Sequence, residues 1–186
     1  MVRENQALPE NGLTTFSDTS RPQPDGVFWW GFYESRSVDE FFESALKYFG
    51  VDSRKYQSSS LRAQIVGVLL KTGRHLFVLD GLEVLQRQKG DQFGLLQNKD
   101  LHDLLTFFAS PENSSFCLIT SRAPIIGLIK FTTYVPKTVN RLSAKDGYDL
   151  LKTLGVKGSD IDINELVSEW DGHALTLSLL AGLLVD

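Results

Sequence analysis

The chain has 186 residues and a mass of 20.8 kDa, with 42% hydrophobic and 23% charged residues, which suits one globular domain with or without a small appendage. This balance excludes collagen-like, disordered and membrane-spanning classes for the chain as a whole. The net charge is −4 and neither half is basic, so binding to nucleic acid or to an anionic membrane has no electrostatic support.

Residues 1–26 hold three of the six prolines, few apolar residues and the cluster Ser17-Asp18-Thr19-Ser20. They read as an irregular arm and lack the apolar core of a signal peptide. The single Cys117 excludes an internal disulfide and a cysteine-rich zinc site, and the three histidines are scattered singly. The expected location is a reducing cytoplasm.

From Val27 the pattern changes. Val27-Phe28-Trp29-Trp30-Gly31-Phe32-Tyr33 is apolar on both faces, as a buried parallel strand would be. Ser37 is placed to cap a helix, with Glu40 as the capping-box partner and Val38, Phe41, Phe42, Ala45, Leu46 and Phe49 as its stripe. A second helix is expected over residues 59–71, with Leu61, Ile65, Val68 and Leu69 inward. His75-Leu76-Phe77-Val78-Leu79-Asp80 gives the strongest strand signal, followed by a polar stretch over residues 86–99. A helix over residues 101–109 leads to the apolar strand Phe116-Cys117-Leu118-Ile119-Thr120. Pro124 is expected to open another helix, and residues 132–135 a weaker strand. Helices are then expected over residues 144–154, 163–170 and 173–184, the last apolar nearly all round. Four strands alternating with helices predict an α/β fold with a three-layer parallel sheet.

In parallel α/β sheets ligands bind at the carboxyl ends of the strands. Leu76-Phe77-Val78-Leu79-Asp80 is four apolar residues and an acid, the form of a strand that presents a carboxylate to Mg²⁺ or its water. Gly81 permits a tight turn, and Glu83 is placed to polarise an attacking water. The same octamer also suits an ordinary strand-to-loop junction ending in a solvated acid. After the next apolar strand, Thr120 and Ser121 offer hydroxyls and Arg122 offers a planar fork suited to phosphate, or a plain surface cation.

Together, in order, these residues resemble the nucleotide-binding module of STAND-type P-loop ATPases, a class that includes the NB-ARC and NACHT groups. The resemblance spans residues 27–186. Leu79-Asp80-Gly81-Leu82-Glu83 resembles the Walker B signature, and Leu118-Ile119-Thr120-Ser121-Arg122 resembles the sensor 1 strand. Arg141-Leu142-Ser143 with Asp146-Gly147-Tyr148 resembles the start of the family's helical subdomain, and Gly172-His173-Ala174-Leu175 its Gly-x-Pro motif.

The resemblance implies a P-loop NTPase-type parallel sheet over residues 27–140 and a helical subdomain over residues 141–186. It implies ATP/ADP and Mg²⁺ as ligands, and other protein domains or protomers as partners. Asp80 would bind Mg²⁺, Glu83 would be the catalytic base, and Thr120, Ser121 and Arg122 would lie near the phosphates, with Arg122 sensing the terminal one. Gly172 and Ala174 would lie near the adenine, with Ala174 standing where the family has proline. His173 reads as a helix-start residue.

One element of the family is missing. No Gly-x-x-x-x-Gly-Lys-Ser/Thr occurs in the chain. The nearest stretch, Ala7-Leu8-Pro9-Glu10-Asn11-Gly12-Leu13-Thr14-Thr15, has alanine for the first glycine and leucine for the lysine. In the family the P-loop strand lies beside the sensor 1 strand, so its loss is expected to leave strand edges unpaired or filled by another segment. Two functions are expected on this basis. One is part of a STAND-type ATP/ADP-binding regulatory switch, weak or inactive in nucleotide binding alone. The other is a non-catalytic protein-interaction module on a decayed P-loop NTPase scaffold.

Overall fold

The structure is a computed structural model that describes residues 23–185. The expectations for residues 1–22, including the stretch 7–15, lie outside the described residues. Contacts divide the chain into two compact units, Met1–Pro136 and Lys137–Asp186.

The first unit is an α/β layer built on three parallel strands in the order β1-β2-β3. They are β1 (Gly26–Gly31), β2 (His75–Asp80) and β3 (Phe116–Ile119). Helices α1 (Val38–Tyr48) and α2 (Ser59–Leu70) connect β1 to β2, and α3 (Lys99–Phe108) connects β2 to β3. The caps follow the sequence. Ser37, Ser58 and Asn98 accept from the amides of Glu40, Leu61 and Leu101 at 3.2, 3.2 and 2.9 Å. The capping box at α1 is only half formed, because the Glu40 carboxylate takes the Ser35 hydroxyl at 2.7 Å instead of the Ser37 amide.

The register sets the two faces of the sheet. Phe28 pairs with Phe77 and Phe77 with Cys117, while Trp30 pairs with Leu79 and Leu79 with Ile119. These six face the core, where Phe28, Phe41, Phe42, Leu46, Val66, Leu70, Phe77, Leu79, Leu101 and Leu105 are buried together. Phe28 and Phe77 pack in a tilted pair with ring centroids 4.6 Å apart. Alternation puts Val27, Trp29, Phe116 and Leu118 on the opposite face, each at least half exposed.

Three expectations change here. The sheet has helices on one face rather than both among the described residues, so the third layer is not seen. An apolar run announces that both faces of a strand are apolar, but not what covers them. Residues 132–135 form turns and loop rather than a fourth strand, and the helix expected after Pro124 is one short 3₁₀ turn, Ile126–Leu128. No described strand pairs with the outer edge of β3.

The second unit holds α4 (Ala144–Thr153), α5 (Asp160–Glu169) and α6 (Ala174–Val185). Ser143 caps α4, and Ser159 with Asp162 forms a full capping box on α5, which starts three residues earlier than expected. Leu151, Val156, Ile163, Val167, Leu177 and Ala181 form its small core. On α6, Leu175, Leu179 and Leu183 recur every four residues and are exposed, so one apolar stripe of the helix lies outside that core.

Candidate functional site at the carboxyl edge of the sheet

Asp80 ends β2, and Thr120 follows β3 directly. The Thr120 hydroxyl donates to Asp80 Oδ1 at 2.5 Å and accepts from the Gly81 amide at 2.9 Å. The Leu82 amide donates to the Thr120 carbonyl at 3.0 Å. Two adjacent strand ends are therefore laced together, and the acid is held by a side chain from the neighbouring strand.

Gly81 turns the chain with φ +72°, a left-handed conformation that glycine adopts without strain. The turn brings Glu83 back under the strand ends in a short 3₁₀ segment, Leu82–Leu85. Glu83 is only 7% exposed. Its Oε1 accepts from the Tyr33 hydroxyl and lies 3.3 Å from Arg122 Nε. Its Oε2 is buried and accepts no hydrogen bond among the described residues. A buried carboxylate needs such partners, because desolvation otherwise penalises its charge. The bond to Glu83 in turn raises the Tyr33 phenol above its usual range, since ionising it would remove the donor and put two negative charges together.

The predicted residues therefore divide. Asp80, Glu83, Thr120 and Arg122 gather at one edge of the sheet. Ser121 is engaged elsewhere: its hydroxyl lies 2.6 Å from Oε1 of the buried Gln86. Gln86 Nε2 donates to the carbonyls of Gly94 and Pro124 at 2.8 and 3.0 Å, so Ser121 helps to tie two loops. Gly172 and Ala174 belong to the second unit. Gly172 has φ +63°, and a Cβ there would stand 2.2 Å from the Leu142 carbonyl oxygen, so the glycine has a packing reason of its own. Ala174 opens α6 and is exposed. His173 caps that helix, its Nδ1 accepting from the Thr176 amide at 3.3 Å.

Neither Tyr33 nor Gln86 is marked as a site residue by the sequence motifs. Tyr33 carried a usable signal, since it stands two residues beyond the end of β1 and so at the same edge as Asp80. Gln86 carried none, being one glutamine in a polar stretch.

The donor set fits Mg²⁺. That ion keeps several waters and takes one or two carboxylates plus ligand phosphates. Asp80 with the Thr120 hydroxyl beside it offers one carboxylate, and no cluster of three or more His, Cys, Asp or Glu side chains able to hold a metal by itself occurs among the described residues. No helix among the described residues is long and apolar enough to cross a membrane. No family model and no curated protein matches the chain.

Proposed function

We propose that the chain is part of a STAND-type ATP/ADP-binding regulatory module, in which the carboxyl edge of the sheet serves Mg²⁺ and the terminal phosphate. The observation that carries this reading is the convergence of Asp80, Glu83, Thr120 and Arg122 from two neighbouring strand ends. Asp80 would hold Mg²⁺, with the Thr120 hydroxyl fixing the orientation of the carboxylate. Mg²⁺ supplies charge neutralisation to the phosphates when bound. Arg122, whose side chain is 84% exposed, reaches a phosphate from the end of β3. Glu83 is the acid placed to orient water. No phosphate-wrapping glycine loop is present in the sequence, so binding by the chain alone is weak.

Calorimetry with Mg-ADP and Mg-ATP tests this. The expected result is binding weaker than micromolar that Asp80→Ala and Arg122→Ala each abolish. Binding that neither substitution changes overturns the assignment.

A second reading, a non-catalytic interaction module, is favoured by the exposed Val27, Trp29, Phe116 and Leu118 on the open sheet face. Its mark is self-association or partner capture that Trp29→Ser with Leu118→Ser removes, with no nucleotide response. A monomer at high concentration by light scattering counts against the self-association form of this reading.

A further inference from the structure

We propose that Tyr33 is the positioning residue that frees Arg122 to leave Glu83 for an anionic ligand. This rests on the reading of Arg122 as the phosphate-contacting residue.

Glu83 is the constraint. Its carboxylate is buried, Oε2 has no partner among the described residues, and Oε1 has two, the Tyr33 hydroxyl and Arg122 Nε at 3.3 Å. If the Arg122 ion pair were its sole polar partner, the departure of Arg122 would leave a buried charge bare, and that penalty would hold it in place. Tyr33 removes the penalty by keeping a donor on the same oxygen. Arg122 is then the exchangeable partner and Tyr33 the resident one.

The hydrogen-bonding partner and the ion-pair partner are mounted differently, which fits these roles. The Tyr33 ring lies on Gly81, where a Cβ would come within 2.4 Å of it. The residue before it, Phe32, is buried, and its amide donates to the Asp80 carbonyl at 2.9 Å. Tyr33 is thus seated on the turn that delivers Glu83. The Arg122 side chain stands in solvent, with 84% of its surface exposed, and can turn without breaking packing.

The test uses the full chain and two readouts. The first is solvent exchange of the Arg122 Nε proton by NMR, assigned with Arg122→Lys. The second is affinity for Mg-ADP and for pyrophosphate. Tyr33→Phe keeps the ring on Gly81 and removes only the hydroxyl. It is expected to slow the exchange and to weaken both ligands by about three- to tenfold, the factor carried by an ordinary hydrogen bond. Adding Glu83→Gln removes the charge that pins Arg122, and is expected to restore fast exchange and at least wild-type affinity. A purely structural role for Tyr33 predicts no such rescue. Unchanged exchange in Tyr33→Phe overturns the proposal whether or not either ligand binds. Slowed exchange with no ligand bound by any variant keeps the Tyr33 clamp and overturns the phosphate reading of Arg122.

Discussion

Thr120 and Asp80 are joined across two strands by a 2.5 Å hydrogen bond, and the same hydroxyl accepts the Gly81 amide at 2.9 Å. One side chain thus satisfies both the acid and the turn behind it. Thr120→Val keeps the shape and deletes both bonds. Thr120 is exposed, so the loss of stability is expected to be about 0.5–1.5 kcal/mol in urea unfolding, the range for ordinary hydrogen bonds. Thr120→Ser retains the hydroxyl and is expected to keep most of that stability. An unchanged midpoint in Thr120→Val would remove the two bonds from the account.

In the second unit, Gly172→Ala is expected to destabilise by at least about 2 kcal/mol. It combines a left-handed backbone with a Cβ placed 2.2 Å from the Leu142 carbonyl oxygen. The hydrogen bond that the Leu142 amide donates to the Gly172 carbonyl at 2.9 Å is expected to be lost with it. A thermal melt followed by circular dichroism at the helix band checks this. An unshifted melt would mean that the 171–173 turn rearranges freely.

The Tyr148 hydroxyl donates to Asp160 Oδ1 at 2.6 Å, joining α4 to the start of α5. That bond raises the phenol above its usual range, with burial a lesser cause. The folded chain therefore holds this proton more tightly than the unfolded chain does. The contribution to stability is full below about pH 10, the ordinary tyrosine value, and is lost as pH rises through the folded value. Denaturant midpoints measured from pH 8 to 11 should fall less steeply in Tyr148→Phe. An identical slope would remove Tyr148 from the account.

Cys117 lies on the core face of β3, and burial pushes its thiol well above the usual range. The nucleophilic thiolate is accordingly scarce at pH 8. A disulfide reagent should label the native protein slowly and the urea-unfolded protein rapidly. Fast native labelling would show that the outer edge of β3 opens readily.

Phe77 is fully buried between Phe28, Tyr48, Phe49 and Phe108. Phe77→Ala is expected to cost about 3–5 kcal/mol by cavity formation, read from chemical unfolding. A loss under 1 kcal/mol would mean that the surrounding rings collapse into the gap.

What could be read in the sequence was local. Capping serines, positive-φ glycines and apolar strand runs report their own conformation, so β1, β2, β3 and the helix starts at Ser37 and Ser143 were visible. The buried face of α2 was not. Leu61 and Val68 were expected inward and are exposed, while Ala63, Val66, Gly67 and Leu70 are buried. That helix is apolar around much of its circumference, and only the packing of α1 and α3 against it selects a face. At the site, Asp80 and Arg122 were visible because strand ends are privileged positions. Their partners depend on strand order and register, as with Thr120 on Asp80 and Tyr33 on Glu83, and no spacing in the chain encodes those.

The buried Gln86 has a kinetic consequence. Thr120 on one side of Arg122 is bonded to Leu79 and Leu82, and Ser121 is tied to Gln86, which also grips the carbonyls of Gly94 and Pro124. The backbone pivot of Arg122 is fixed from both directions. Any swing of its guanidinium is a change of side-chain rotamer on a still base, a motion of picoseconds to nanoseconds for an exposed residue. Exchange of Arg122 between Glu83 and solvent is then a side-chain event that needs no loop rearrangement.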